Sequence, residues 1–114
     1  MEKKKIKKVV IKVGSSLIAN YKTGSPKLNW INLFISDLHF LIKKRIKIII
    51  VSSGAIAIGR KRIGFLKKKL SLAEQQAAAS VGQIYLINNY KKAFNKKKVE
   101  ISQVLLTLED TIKK

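Results

Sequence analysis

Two apolar, β-branched runs that end in loops of small residues constrain the fold of this chain more than any other feature. Residues 9–18 are VVIKVGSSLI, and residues 48–64 are IIIVSSGAIAIGRKRIG. Near-continuous apolar runs of this length are typical of strands in a parallel sheet. In an open α/β sheet, ligands bind just outside the carboxyl ends of the strands. The two small-residue loops are therefore the first candidates for a binding site.

The spacing of apolar residues predicts alternating strands and helices along the 114 residues. Strands are expected at 6–13, 46–51 and 99–106, helices at 28–44, 55–62 and 72–94, and the start of a further helix near 107–110. This alternation predicts an α/β fold of three α/β/α layers around a mainly parallel sheet. Three strands alone would leave an open sheet edge and an uncovered apolar face.

The longest predicted helix carries its own start signal. Ser71 and Glu74 have the spacing of a capping box, in which each residue satisfies a backbone N–H of the other. We expect Gly82 to mark close packing, because glycine inside a helix costs about 1 kcal/mol relative to alanine. The apolar spacing predicts that one face of this helix is formed by Ala73, Ala77, Val81 and Ile84.

Right-handed crossovers place the carboxyl ends of all the predicted strands at one edge of the sheet. The loop that begins at Gly14 and the turn around Ser53 should then lie close together, although they are far apart in the sequence. The loop from Gly14 extends to about Lys27. Convergence of these two segments is the central geometric prediction.

Composition excludes several classes of protein. The chain has no cysteine, which rules out disulfides and thiolate metal sites. No apolar run approaches the roughly 18 residues of a membrane span, and the basic amino terminus lacks the features of a signal peptide. We therefore expect a cytoplasmic protein that does not contact a membrane. The formal net charge of +19, taken alone, favours nucleic acid as a partner. Lysine, however, far outnumbers arginine, which is the residue that binds phosphate best. We therefore interpret the basic residues as part of a solvated surface.

Lys12 interrupts the first predicted strand two residues before Gly14. Burying an ammonium group is expensive unless it has a partner. Lys12 either points at a phosphate near the strand end or extends from the strand into water. The residue pattern alone leaves both interpretations open.

The two loops also have two interpretations each. Gly14, Ser15 and Ser16 could bring backbone N–H groups close to phosphoryl oxygens, or form an ordinary turn after a strand. Ser52, Ser53, Gly54 and Ala55 stand where a strand passes into a helix, and the serines could bind an anion or cap the helix. The sequence contains neither a P-loop nor a G-x-G-x-x-G fingerprint, and no carboxylate pair or metal-binding cluster.

Four segments in the same order resemble the amino acid kinase family. They are VVIKVGSSLI, VSSGAIAIGRKRIG, LAEQQAAASVGQ and SQVLLT, and the resemblance covers about residues 8–114. Within the family the chain is most similar to the members that phosphorylate the γ-carboxylate of L-glutamate with ATP, the first step of proline synthesis. The resemblance implies that residues 1–114 are the N-terminal portion of a single kinase domain, without its C-terminal nucleotide-binding portion.

The resemblance also implies roles for particular residues. Lys12 would contact the transferring phosphoryl group and act in catalysis, and Gly14, Ser15 and Ser16 would hold phosphate oxygens of ATP. Ser53, Gly54 and Ala55 would bind glutamate. ATP and Mg²⁺ would be required, although no metal ligand is identified in this chain. A homo-oligomer is also compatible with the resemblance.

Three functions therefore remain to be separated. In the first, the chain is a glutamate-phosphorylating kinase. In the second, it is a non-catalytic remnant, or one half of a kinase that must pair with a separate C-terminal kinase fragment. The third alternative, a small basic nucleic-acid-binding protein, is disfavoured because the lysines are scattered and aromatic residues make up only 7% of the chain.

Overall fold

A computed structural model describes residues 7–20, 22–66 and 69–104. The elements follow the order β–α–α–β–α–α. They are β1 (Lys8–Val13), α1 (Ser15–Ile18), α2 (Leu28–Lys43), β2 (Lys47–Ser52), α3 (Ala55–Ile63) and α4 (Leu72–Asn95). Apart from the single-turn helix α1, which lies in the predicted loop, these elements match the predicted ones to within about two residues at each end.

The two strands form a parallel pair, which confirms the α/β class and the parallel sheet. Val9 pairs with Ile48, and Val13 pairs with Ser52. Helix α2 connects the strands, as the βαβ unit requires of parallel neighbours.

Helices cover only one face of this sheet in the described part of the chain. Ile11, Ile48 and Ile50 pack against the core on the covered face. Side chains alternate between faces along a strand, so Val10, Ile49 and Val51 lie on the other face, where they are 61%, 51% and 50% exposed. The described residues therefore form two of the three expected layers, the sheet and the helices on one of its faces. The uncovered apolar face expected from the sequence is confirmed.

The core lies between the sheet, α2 and α4. Helix α2 contributes Ile31, Ile35 and Leu38, which recur at helical spacing and are buried. The expected face of α4 was wrong, because Ala73, Ala77 and Ile84 are exposed. The buried face of α4 is formed instead by Ala78, Gly82, Leu86, Tyr90, Ala93 and Phe94.

Helices α3 and α4 cross with their backbones in close contact at two glycines. A Cβ atom on Gly59 would overlap the carbonyl oxygen of Ala78, and one on Gly82 would overlap the carbonyl oxygen of Ala55. The close packing predicted at Gly82 is confirmed. Because Ala55 is the first residue of α3, this crossing fixes the start of α3 relative to α4.

The capping box predicted for α4 is also confirmed. The backbone N–H of Ser71 donates to Oε1 of Glu74 at 2.9 Å, and the backbone N–H of Glu74 donates to Oγ of Ser71 at 3.1 Å. These two bonds satisfy donors that the first turn of a helix leaves without intrahelical acceptors.

Beyond α4 the predictions are met less well. Residues 99–104 form no strand, so the strand predicted at 99–106 is wrong over these positions. A strand there would need a hydrogen-bonded neighbour, and the described sheet consists of β1 and β2 alone. Residues 105–106 and the helix start predicted at 107–110 lie outside the described residues. Among the helices of the described ranges, none is long and apolar enough to cross a membrane.

Candidate active site

The carboxyl ends of β1 and β2 bring the two small-residue segments together. The backbone N–H of Ser53 donates to the carbonyl oxygen of Val13 at 2.9 Å, which extends the parallel pairing to the last residue before Gly14. The side chain of Ile18, at the end of α1, lies directly against Gly54. The predicted convergence of the two segments is therefore observed.

Gly54 makes the sharp turn from β2 into α3. Its φ of 115° lies in the left-handed region that favours glycine, and a Cβ atom there would come within 2.9 Å of Cγ2 of Ile18. Gly54 itself is the N-cap of α3, and no side chain of residues 7–20, 22–66 or 69–104 caps this helix. The interpretation of the serines as helix caps is therefore wrong. The first backbone N–H groups of α3 have no intrahelical acceptors, as at any helix start.

The two serines of this turn differ in what they contact. Ser52 accepts a hydrogen bond from the Tyr90 hydroxyl at 2.9 Å and donates one to the carbonyl oxygen of Ser53 at 3.0 Å. Burial raises the pKa of Tyr90, and the hydrogen bond to Ser52 opposes this shift only in part. Ser53 is exposed, and its hydroxyl makes no hydrogen bond within the described ranges. Ser52 therefore links the sheet to α4, whereas Ser53 is available to a ligand.

The first segment has an open geometry. Gly14 is exposed, and its φ of −74° is one that any residue can adopt. A Cβ atom on Gly14 would meet no atom of the described residues within 4 Å. Glycine is therefore not needed here for a positive φ, and it leaves space beside the backbone. Ser16 is exposed, and its carbonyl oxygen accepts a hydrogen bond from Nζ of Lys27 at 2.7 Å.

Lys12 lies on the uncovered face of the sheet, paired with Val51. Its side chain is exposed, so the ammonium group bears no cost of burial in this structure. Strand alternation explains this exposure, because Lys12 shares its face with Val10, and in the described part of the chain helices cover only the opposite face. Lys12 lies at the same end of the sheet as Ser53.

A cavity of about 430 Å³ opens between the two segments, in the size range of small-molecule sites. Its lining comes from α1, from the last residue of β2 and the turn after it, from α3 and from one residue of α4. The lining residues are Ser15, Ser52, Ser53, Gly54, Ala55, Ile56, Ala57, Arg60 and Ala79. Lys12, Gly14 and Ser16 are not among them. The structure therefore brings together four of the seven predicted site residues, namely Ser15, Ser53, Gly54 and Ala55.

Arg60 is the charged lining residue that the sequence analysis did not name as a site residue, and the apolar lining residues Ile56, Ala57 and Ala79 were not named either. Order along the chain does not separate Arg60 from Lys61 and Arg62, because all three lie in the last turn of α3. A helical count separates them, because residues three and four positions apart share a face. Arg60 follows Ile56 by four residues and Ala57 by three, and all three line the cavity.

None of the described residues that line this cavity carries a carboxylate or an imidazole. The described ranges contain no group of three or more His, Cys, Asp or Glu residues that could hold a metal ion. The polar groups of the described residues that line the cavity are serine hydroxyls, backbone N–H groups and the side chain of Arg60. Such groups bind and orient an anion, and they are poorly suited to proton abstraction.

Comparison with known proteins places this arrangement in a class. The model of the amino acid kinase family matches residues 7–113. The chain therefore belongs to the amino acid kinase family.

Individual relatives narrow the similarity further. The chain is 50% identical over 103 residues to glutamate 5-kinase of Pelagibacter ubique. The aligned region covers 90% of this chain and 28% of that enzyme. It is 38% identical over 105 residues to glutamate 5-kinase of Caulobacter vibrioides and 42% identical over 105 residues to that of Bartonella henselae. The chain thus spans about a quarter of the length of these relatives.

Proposed function

We propose that this chain is the substrate-binding part of a glutamate 5-kinase, which transfers the γ-phosphoryl group of ATP to the γ-carboxylate of L-glutamate. The observation that carries the proposal is the cavity shared by the two strand-end segments, with Ser15 on one side and Ser53, Gly54 and Ala55 on the other. Supporting it is the identity to enzymes named glutamate 5-kinase.

The proposed reaction needs little covalent chemistry from the protein. A γ-carboxylate oxygen of glutamate attacks the γ-phosphorus of ATP, the bond from that phosphorus to the β,γ-bridging oxygen breaks, and ADP leaves with the electron pair. Catalysis of phosphoryl transfer rests mainly on positioning and charge stabilisation. Mg²⁺ would arrive with ATP, and we assign no step to it in the described residues, which lack a cluster able to hold a metal ion.

Each predicted site residue has a place in this proposal. Ser53 and the backbone of Gly54 and Ala55 would bind glutamate at the start of α3. Gly14, Ser15 and Ser16 would approach the phosphoryl oxygens, aided at Gly14 by the open space beside its backbone. Lys12 would stabilise the charge of the transferring group. Because the ammonium group of Lys12 is exposed, it has no desolvation penalty before the substrates bind. Bound ATP and glutamate would then cover it. A cytoplasmic location is part of the proposal.

The direct test is glutamate-dependent formation of ADP by the purified chain with ATP and Mg²⁺. Lys12→Met should abolish this activity, and Lys8→Met, an exposed lysine on the same strand and face, is the matched control. Absence of glutamate-dependent ADP in the wild-type chain would refute activity of the chain by itself.

A second candidate is favoured by the uncovered sheet face together with the partial coverage of the relatives. In that case the chain is one half of a kinase, and a separate C-terminal chain completes it. Addition of the C-terminal portion of the Pelagibacter ubique enzyme would then produce glutamate-dependent ADP that neither piece gives alone. Val10→Lys on the uncovered face should weaken this association.

A further inference from the structure

The amino end of the sheet brings together basic residues that are dispersed in the sequence. Lys8 and Lys47 are direct partners in the parallel ladder, and the backbone N–H of Lys47 donates to the carbonyl oxygen of Lys7 at 2.9 Å. The turn that leads from α2 into β2 adds three more cations. The exposed residues of this basic cluster are Lys7, Lys8, Lys43, Lys44, Arg45 and Lys47. The fold thus joins lysines whose scatter along the sequence disfavoured a nucleic-acid partner.

No acidic side chain of the described residues balances this cluster. The carboxylates of the described ranges belong to Asp37, Glu74 and Glu100, and none of them forms an ion pair with a member of the cluster. Asp37 lies in the middle of α2, and Glu74 is engaged in the capping box of α4. Like charges on neighbouring strands repel each other. An anionic ligand bound at this end of the sheet would relieve that repulsion.

Arg45 occupies a backbone position at which glycine is normally favoured. It follows α2 with a left-handed φ of 62°. The backbone N–H of Ile46 donates to the carbonyl oxygen of Leu41 at 3.3 Å, and that of Arg45 donates to the carbonyl oxygen of Ile42 at 2.9 Å. This is the Schellman turn, in which a side chain at the left-handed position is strained. The helix dipole favours cations near the end of α2, but it does not require one at this strained position. Such an outlier points to a use of the charge beyond folding.

An exposed aromatic ring adjoins the cluster. Phe40 is 61% exposed, and Nζ of Lys44 lies 4.3 Å from the centroid of its ring. Trp30 and Phe34, on the same helix, pack against the core, whereas most of the Phe40 side chain remains open to solvent. Proteins that bind single strands stack bases on aromatic rings of this kind and bind the phosphates with neighbouring cations. The ring favours nucleic acid over an acidic protein segment, which offers charges without planar bases.

We propose that the basic cluster and Phe40 bind single-stranded nucleic acid, with a base stacked on Phe40 and backbone phosphates on the cations. Strands β1 and β2 are parallel and six residues long, so the cluster and the candidate cavity lie at opposite ends of the sheet, about 16 Å apart along the strands. A nucleic acid bound at the amino end leaves the cavity open. The proposal is therefore independent of the proposed function, and either can fail without the other.

The binding test uses the full chain and a fluorescently labelled oligouridylate of about 20 nucleotides, long enough for one binding site. Fluorescence anisotropy at several salt concentrations gives the affinity and its salt dependence. With a phosphate on each cation of the cluster, the logarithm of the affinity should fall against the logarithm of the salt concentration with a slope of about −4. The triple variant Lys43→Gln, Lys44→Gln, Arg45→Gln should reduce the slope to about −2 and weaken binding about a hundredfold at about 0.1 M salt.

The matched control for the triple variant is Lys96→Gln, Lys97→Gln, Lys98→Gln, after α4. It removes the same charge from the total of +19, so it separates the cluster from the net charge of the chain. The control should change the affinity by less than about threefold and leave the salt slope unchanged. Equal weakening by the two triple variants, or no binding by the wild-type chain, overturns the proposal.

A pair of glycine substitutions separates binding from folding. Lys98 has a φ of 59° after α4, so it matches Arg45 in backbone conformation and in charge. Arg45→Gly and Lys98→Gly both relieve a strained residue, and both should raise the urea midpoint of unfolding. Arg45→Gly alone should weaken oligouridylate binding, by about fivefold at about 0.1 M salt for one lost phosphate contact. An Arg45→Gly chain that binds as tightly as the wild type contradicts the proposal.

Phe40→Ala tests the stacked base and should weaken binding at least about fivefold. Leu33→Ala is its control, since Leu33 is an exposed apolar residue of the same helix, and it should leave the affinity unchanged. Unchanged affinity of Phe40→Ala contradicts the choice of nucleic acid. Vesicles of phosphatidylserine and phosphatidylcholine provide the last comparison, because binding to them without binding to oligouridylate overturns the proposal in favour of a membrane surface.

Discussion

The two turns that follow the strands look alike in sequence and differ in what their glycines do. In GSS after β1, Gly14 has an ordinary φ of −74° and open space where a side chain would be. In SSGA after β2, Gly54 has a φ of 115° and lies against Ile18. Glycine is therefore required by the fold in the second turn, whereas in the first turn it keeps a surface clear. Similar motifs at one sheet edge can serve folding in one place and ligand access in the other.

The largest effect is expected where the second turn is anchored to α4. Gly82→Val would drive a side chain into the carbonyl oxygen of Ala55, so the helices must separate. We expect a loss of more than about 3 kcal/mol in the free energy of unfolding, or no folded protein, because overpacking at backbone contact cannot be relieved by rotamer changes. Urea denaturation followed by circular dichroism measures this.

The matched control for Gly82→Val is Ala77→Val, on an exposed position of the same helix. It adds the same branched side chain and should cost less than about 1 kcal/mol, through helix propensity alone. Similar losses for the two variants would contradict the close crossing of α3 and α4, and with it the account of how the start of α3 is fixed.

The next prediction tests the comparison of the two turns directly. Gly54→Ala should destabilise the chain by about 1–3 kcal/mol, because alanine must adopt a strained backbone conformation against Ile18. Gly14→Ala should change stability by no more than about 0.5 kcal/mol, but it should lower glutamate-dependent ADP formation by narrowing the approach to the backbone. Denaturation and ADP release measured on both variants separate the effects. A Gly14→Ala chain that is as destabilised as Gly54→Ala would remove the distinction.

Much of this geometry could be predicted from the sequence because it follows from local rules. Apolar periodicity predicted β1, β2, α2, α3 and α4, although it missed the single turn α1 and predicted a strand over 99–104 that is not formed. The crossover rule predicted that the Gly14 and Ser53 segments meet. The capping box depends on Ser71 and Glu74, which are close in the sequence. The close packing at Gly82 depends only on the absence of a side chain there. Such signals do not require knowledge of which helix packs on which face.

The errors share one physical cause, since each depends on tertiary packing. The buried face of α4 is set by its contacts with α3 and α2, and alanines occur on both its buried and its exposed sides. The surroundings of Lys12 stayed undecided in the sequence, because an apolar strand does not reveal that only one of its faces is covered. Ser52 and Ser53 are adjacent and identical, and only the position of Tyr90 shows that Ser52 is already bonded. Arg60 was missed because its helix also carries basic residues that face away from the cavity.

A smaller effect is expected from the bond that ties β2 to α4. Tyr90→Phe removes the hydroxyl that donates to Ser52, and it should lower the free energy of unfolding by about 0.5–1.5 kcal/mol, the usual net value of a hydrogen bond. Tyr85→Phe is the control, since Tyr85 is exposed and its ring remains available to Arg62. Equal stability of Tyr90→Phe and the wild-type chain would mean that the Ser52 hydroxyl is not held by this contact, and that both serines are available to a ligand.

The smallest predicted effect is a dependence of stability on pH that comes from the same tyrosine. Burial raises the pKa of Tyr90 above its ordinary value of 10.0, so at high pH the unfolded chain releases the proton more readily than the folded one. Tyr90 therefore makes no pH-dependent contribution below about pH 10, and it disfavours the folded state as the pH rises from 10 through the raised pKa. Lysines titrate in the same range, so the measured quantity is the difference between the wild-type chain and Tyr90→Phe. Urea titrations between pH 9 and 11.5 should show the wild-type chain losing more stability than the variant, and parallel curves would contradict the burial of the Tyr90 hydroxyl beside Ser52.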